Sequence, residues 1–292
     1  MTQHDQNDHR RSHGHGHEHG HGHGHRNDAD LADLLDLDAE VHGSYLGDLT
    51  EWLGRHAPVA PRAIVDVGTG TGTGSLALAR QFPTSEVIAI DRSPVMLDRV
   101  LAAARGQGVA ERMRVVQADL DLGWPADVGG VDLAWAASSL HEVADPDRVL
   151  REIHDALTPG GLLVVVEMDS LPRFLPDDPG MGRPGLESRC HELLAKADWN
   201  AHPDWRPHLG RAGFEVVEQR GFAVDADPAP PRTGLYARAH FTRIRAFLDG
   251  QLAADDLAAL DRLLDDEDPA SLLRRGDLTV RGSRTAWAAR RP

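Results

Sequence analysis

A single cysteine, Cys190, stands in 292 residues. It rules out an intrachain disulfide and a cysteine-based zinc knuckle. No run approaches the ~18 consecutive apolar residues of a membrane span; LLVVV at 162–166 has the length of a buried strand. The polar N-terminus carries no apolar core of the signal-peptide kind, so a soluble cytoplasmic protein with no membrane partner is expected. Excess positive charge is missing too: 31 basic against 46 acidic side chains leave −15 with histidine neutral. Nucleic-acid affinity comes largely from phosphate neutralisation, so no nucleic-acid partner is expected. The basic residues near the C-terminus (Arg274, Arg275, Arg281, Arg284, Arg290 and Arg291) read as a solvated or salt-bridged surface.

Residues 1–29 form a separate segment. Nine of the 17 histidines fall between His4 and His25. His13, His15, His17, His19, His21, His23 and His25 occupy every odd position, with glycine between them except at Glu18. Such a stretch has no apolar face to bury and is expected to be disordered. Dense neutral imidazoles on flexible glycines suit zinc, nickel or copper, so a metal-binding, non-catalytic tail is expected, with a tag or linker as the alternative.

Ordered chain is expected from Asp30. Val41, Tyr45, Leu49 and Leu53 recur at i, i+4, i+8 and i+12, the spacing of one amphipathic helix within an N-terminal segment 30–60. Strands and helices then alternate: AIVDV (63–67), EVIAID (86–91), MRVVQAD (113–119), VDLAWAASSL (131–140) and GLLVVVEMD (161–169) read as strands. Helices between them start at Ser93-Pro94 and Asp145-Pro146, a cap residue followed by proline. This alternation predicts an α/β fold with a doubly wound, mostly parallel sheet and ligands at the C-terminal strand ends. The α/β core is expected over 61–233. FEVVEQRGFAV (214–224) supplies a sixth strand and LTVRGSRTAWAARRP (278–292) a last strand within 277–292. Between them, 234–276 carries the helical stripes Ala237, Phe241, Ile244, Leu248 and Leu257, Leu260, Leu264. This insertion reads as an α-helical cap over the site, with a dimerisation surface as the alternative.

The first strand runs into glycine at every second position: IVDVGTGTGTGS, residues 64–75. Glycine allows φ > 0 and close backbone approach. The dinucleotide fingerprint G-x-G-x-x-G fails in either frame, since Thr73 or Ser75 takes the third glycine's place. No lysine follows as in a phosphate-binding P-loop. VDVGTGTG, with Asp66 two residues before G-x-G-x-G, resembles motif I of the class I S-adenosylmethionine-dependent methyltransferases. Asp91 closing VIAID, Asp119 closing VVQAD and the stretch LTPGGLLVVVE are similar to that family at the expected places, 25 residues from Asp66 to Asp91 and 28 from Asp91 to Asp119. The resemblance covers about 62–169 well. It implies a seven-stranded Rossmann-like fold and S-adenosylmethionine as cofactor, held by Asp66, Gly68, Thr69, Gly70, Gly72, Asp91, Arg92, Asp119, Leu120 and Ser138. It places Asp91 on the ribose hydroxyls and Asp119 on the adenine. An ionised carboxylate is a pure acceptor able to take both hydroxyls of a ribose.

The family faces its methyl group with the end of strand four, here AASSLHEVADP. The D/N-P-P-Y/F signature of many nucleic-acid amine methyltransferases is absent there. Cytosine-C5 enzymes need a nucleophilic cysteine, typically after proline, and Cys190 follows Arg189. The segment is similar instead to the small-molecule branch, which implies transfer to a small-molecule acceptor. His141 is the candidate base, or alternatively a pocket wall. Tyr45, His141, Asn200, His202 and Tyr236 are candidate acceptor contacts. The loop 170–185, with four prolines and three glycines, lies where substrate is expected. Trp199, Asn200, His202 and Trp205 read either as recognition surface or as caps and core aromatics. An NAD(P)-dependent oxidoreductase and a non-catalytic metal-handling or regulatory protein remain alternatives, and the chain is expected to be a monomer or homodimer.

Overall fold

The computed structural model describes residues 25–197, 204–226 and 229–292, with side chains from Asp28 onward. The metal-ligand candidates His13, His15, His17, His19, His21 and His23 lie outside the described residues, as do the side chain of His25 and all of Trp199, Asn200 and His202.

Seven strands form one sheet: β1 (Ala63–Val67), β2 (Glu86–Asp91), β3 (Met113–Gln117), β4 (Val131–Ala137), β5 (Leu157–Met168), β6 (Glu215–Ala226) and β7 (Val280–Arg290). Their order is β3-β2-β1-β4-β5-β7-β6. Strands β1 to β5 pair in parallel, whereas β7 lies antiparallel to both β5 and β6. This is the doubly wound, mostly parallel sheet that the alternation of elements predicts. Its order reverses between β1 and β4, and there the C-terminal strand ends open the crevice that carries sites in such sheets.

Period-two side chains build a core on each face. Val65 and Val67 pack with Val149, Leu150 and Ile153 of α5 (Pro146–Ala156) and with Trp205 and Leu209 of α7 (Trp205–Arg211). Ile64 packs on the other face with α2 (Ser44–His56), α3 (Thr73–Gln81) and α4 (Pro94–Gly106), through Leu49, Trp52, Leu78 and Val100. Each large side chain so buried contributes about 1.5–3 kcal/mol. Trp205 is therefore a core aromatic under α7, not a recognition residue.

A third core joins α1 (His25–His42), α6 (Leu186–Lys196), α8 (Thr233–Phe247) and α9 (Ala254–Leu264) with Leu171, Phe174 and Leu175. This helical cluster is thus assembled from three separate stretches of chain, wider than the insertion 234–276 expected to form a cap. Ala237, Phe241, Ile244, Leu248 and Leu260 are fully buried inside it, so that stripe is spent within the chain rather than on a second copy. Two further expectations are corrected. The N-terminal segment is two helices broken at Gly43, and the first starts at His25, before the boundary at Asp30. Ser93 does not cap α4 with its side chain; its Oγ donates to Asp28 Oδ2 of α1 at 2.7 Å. Asp145 does cap α5, accepting from the Arg148 amide at 2.9 Å.

Candidate functional site

At the end of β1 the chain enters the left-handed region at Gly68 (φ +69) and Gly70 (φ +54). A Cβ at Gly68 would fall 2.5 Å from Ser139 Cβ, and one at Gly70 would lie 3.1 Å from Leu35 Cδ1 of α1. The loop therefore needs glycine to pass under the end of β4 and beneath the N-terminal helix. It is sewn to β2 by two backbone donors: Thr69 N–H to Ile90 O (2.8 Å) and Gly70 N–H to Asp91 Oδ2 (2.9 Å). Asp91 Oδ1 accepts from the Ser93 amide at 2.9 Å. Burial raises the Asp91 pKa, against the amides of Ser93 and Gly70, which lower it. A carboxylate offers about four acceptor positions, so these two amides leave room for further donors.

Asp66 is 2% exposed, and its Oδ2 accepts from Ser75 Oγ (2.6 Å) and Thr69 Oγ1 (3.0 Å), while those hydroxyls lie 2.8 Å apart. Burial, only partly offset by those two donors, pushes its pKa up to about 6. Asp66 fixes the loop from beneath through these two hydroxyls. Leu120 is likewise turned inward, packed in the core beside α5. Asp119 is exposed past the end of β3, with Oδ1 accepting from the Asp121 amide at 3.0 Å, and Asp121 is itself tied to the Ala144 amide at 2.8 Å. Arg92 is exposed beside Asp91, its carbonyl accepting from Gln117 Nε2 at 3.2 Å. Asp91, Arg92, Asp119 and the loop Gly68–Gly72 thus share the C-terminal edge of β1–β3.

Beyond β4, Ser138 holds φ +51, a conformation that a non-glycine residue adopts at a cost of about 1–3 kcal/mol. Its N–H donates to Val166 O at 2.8 Å. Within the short 3-10 turn Leu140–Glu142 that follows, His141 places Nδ1 2.8 Å from Glu167 Oε2 and Nε2 3.2 Å from Glu142 Oε1. Glu167 is 2% exposed. Burial works against charge on the imidazole, but the hydrogen bonds to Glu142 and Glu167 and the Glu167 charge outweigh it and raise the pKa to about 9. His141 is therefore an imidazolium at neutral pH, a donor rather than a proton acceptor.

Tyr45 and Tyr236 come together around an ion pair that the sequence reading overlooked. Arg284 on β7 places its guanidinium 4.9 Å from the centre of the Tyr45 ring, a cation–π geometry. Its Nη2 donates to Asp38 Oδ2 (2.9 Å) and Oδ1 (3.1 Å), and its Nη1 to Ser138 Oγ (3.3 Å). Tyr236 O–H donates to Asp38 Oδ1 at 2.8 Å, and His42 Nδ1 lies 3.2 Å from the same oxygen. Arg284 is salt-bridged, one of the two alternatives for these C-terminal arginines, but at 8% exposure it is buried rather than on the surface. Burial of Asp38 acts to raise its pKa, but Arg284, His42 and Tyr236 hold it well below the usual carboxylate range. No local pattern marks this pair: Asp38 sits among other acids of α1, and Arg284 among other arginines. Among the described residues, no group of three or more His, Cys, Asp or Glu could hold a metal ion, and no helix is long and apolar enough to cross a membrane.

Residues 64–161 match a family model described as a methyltransferase domain. Demethylmenaquinone methyltransferase of Thermus thermophilus is 35% identical over 114 residues, which is 39% of this chain and 50% of that protein. Trans-aconitate 2-methyltransferase of an Acidovorax species is 38% identical over 121 residues, 41% of this chain and 44% of the relative. The chain therefore spans about half the length of the curated relatives it matches. A candidate methyltransferase from Bacillus halodurans C-125 shares the fold with a TM-score of 0.53 at 20% identity, over 84% of this chain and 99% of that one.

Proposed function

We propose, from the premise that residues 64–161 belong to the class I S-adenosylmethionine-dependent methyltransferase family, that this protein transfers the cofactor's methyl group to a small-molecule acceptor. The observation that carries the reading is the bond from Gly70 N–H to Asp91 Oδ2, joining the C-terminal ends of β1 and β2 beside the switch point of the sheet. It couples a glycine loop to a partly exposed carboxylate with acceptor capacity to spare, an acceptor suited to the two hydroxyls of a vicinal diol. The residues therefore fit the nucleoside. S-Adenosylmethionine, when bound, supplies a methyl group activated on a sulfonium.

Asp91 would accept from the ribose hydroxyls and Asp119 from the adenine amine. The backbone of Gly68–Gly72 would lie against the methionine part, with Thr69 and Asp66 setting its shape. Ser138, Arg92 and the backbone of Leu120 complete the rim. The protein's share of the work is then alignment and exclusion of water. His141, kept an imidazolium by Glu142 and Glu167, has both ring N–H groups on those carboxylates; it would donate to an acceptor only where the exposed Glu142 turns away from Nε2, and would act as a base only above about pH 9. The relatives named for demethylmenaquinone and trans-aconitate support a small-molecule acceptor.

A core over 61–233 and 277–292, capped by 234–276 together with α1 and α6, belongs to the same reading, as do a cytoplasmic monomer or homodimer without nucleic-acid or membrane partners. So does a metal-binding histidine tail with no part in catalysis.

Calorimetric titration with S-adenosylhomocysteine, and separately with NADH, tests the proposal. Micromolar binding of the first, lost in Asp91→Ala, is the expected result. Binding of NADH alone would overturn it in favour of the oxidoreductase.

A further inference from the structure

We infer that Arg284 is the anchor for a carboxylate carried by the acceptor, and that Asp38 occupies this place in the ligand-free chain. The inference rests on the methyl-transfer reading and narrows its acceptor to small organic acids.

Position comes first. Arg284 pairs with Met168 of β5 and Phe222 of β6, so strands on both sides fix its backbone at the C-terminal end of β5. Its guanidinium reaches Ser138, the strained residue closing β4, where the acceptor must approach the cofactor site. The Tyr45 ring holds the guanidinium from one side. A cation this deeply buried requires an anion, since charges taken out of water are tolerated only when paired.

The observed anion, Asp38, belongs to a different kind of element. It is a quarter exposed and rides on α1, which ties to α4 and α8 partly through the exposed pairs Arg99–Asp33, Arg99–Asp36 and Arg232–Glu40. A turn of its side chain leaves behind the Arg284 guanidinium and the Tyr236 hydroxyl, both already aimed at one carboxylate. A cavity of about 10 Å³, water-sized until Asp38 turns away, adjoins this spot, lined by Asp38, His42, Met168, Ser170 and Arg284. His42, 4% exposed, borders it with Nε2 lacking a hydrogen-bond partner. Buried polar atoms are ordinarily satisfied, so an orphaned imidazole nitrogen beside a buried cation indicates a polar occupant. Arginine, tyrosine and histidine offer donors here, and a carboxylate is the planar acceptor that matches the fork.

A permanent structural staple is the competing explanation, and Asp38→Asn separates the two. The full-length protein saturated with S-adenosylhomocysteine is titrated calorimetrically with succinate, citrate and phenylacetate, each against its carboxamide. At least one acid should bind about 100-fold more tightly than its amide, and Arg284→Gln should erase that preference in protein still saturated with S-adenosylhomocysteine. Asp38→Asn, which removes the internal competitor, should tighten the acid about tenfold. Should Arg284→Gln fail to fold, Arg284→Lys and Asp38→Asn carry the comparison. The inference is overturned if no acid binds, if acids and amides bind alike, or if Asp38→Asn only lowers stability. Failure of S-adenosylhomocysteine itself to bind takes down the methyl-transfer reading and this one with it. Its binding without any acid overturns this one alone.

Discussion

Gly68 and Ser139 approach so closely that a Cβ on the glycine would stand 2.5 Å from the serine Cβ. Ser139 cannot retreat easily, because its Oγ donates to Val67 O at 2.6 Å. Gly68→Ala therefore combines a left-handed backbone, costing about 1–2 kcal/mol, with an overpacked contact worth about 1–3 kcal/mol. We expect Gly68→Ala to lower unfolding free energy by about 2–5 kcal/mol in urea melts and to abolish S-adenosylhomocysteine binding. A melt unchanged within about 0.5 kcal/mol would show that the loop relaxes freely.

That contact shows what the sequence made legible. The strands announce themselves because short apolar runs between turn residues have few other uses, and the glycine-every-second-residue loop is local. The position of Asp91 at the end of β2 is legible because the strand before it is a short apolar run. The surroundings of Asp66 are not legible for an equally physical reason: an acid before a glycine loop looks the same in sequence whether it is open or, as here, buried on Ser75 and Thr69. The pair Asp38–Arg284 spans 246 residues of chain, and no periodicity or spacing links its members. Of the third core, the sequence shows only the helical stripes in the insertion; the shares of α1 and α6 emerge only when tertiary packing joins them to Phe174 and Phe241.

Ser75→Ala tests the inward role of Asp66. The Asp66 pKa is already raised to about 6, so the carboxyl is mostly neutral at pH 5 and mostly ionised at pH 8. Losing a donor to the ionised form costs about 1.5–3 kcal/mol, against about 0.5–1.5 kcal/mol for the neutral one. The variant should be destabilised more at pH 8 than at pH 5, read from denaturant midpoints at both pH values. Equal losses would mean that Asp66 stays protonated throughout.

His141 makes the opposite prediction with pH. Its folded pKa, about 9, lies above the unfolded value of about 6.5. The stability it contributes is fully present below pH ~6.5 and is lost as pH rises through ~9. Replacing the buried partner by Glu167→Gln removes the charge that favours the imidazolium. Nuclear magnetic resonance titration of the His141 ring should show its pKa falling toward 6.5, and the stability loss between those pH values should shrink. An unchanged pKa would assign the shift to Glu142 alone, which Glu142→Gln then reports directly.

Two truncations separate the histidine tail from the fold. Helix α1 begins at His25, and Asp28 already bonds to Ser93, so a cut after residue 29 would damage the cofactor rim while a cut after residue 24 spares it. Removing 1–24 deletes eight of the nine clustered histidines. It should abolish tight nickel binding yet leave the thermal midpoint and S-adenosylhomocysteine affinity unchanged. Removing 1–42 also strips Leu37 and Val41 from the third core, at about 1.5–3 kcal/mol each. It takes away Leu35 from above Gly70 and leaves Arg284 buried without Asp38. An unpaired buried charge alone costs about 3–5 kcal/mol. The longer truncation should therefore unfold at a much lower temperature and bind S-adenosylhomocysteine weakly. If removing 1–24 by itself destroys cofactor binding, the tail belongs to the site and its separation from the enzyme is wrong.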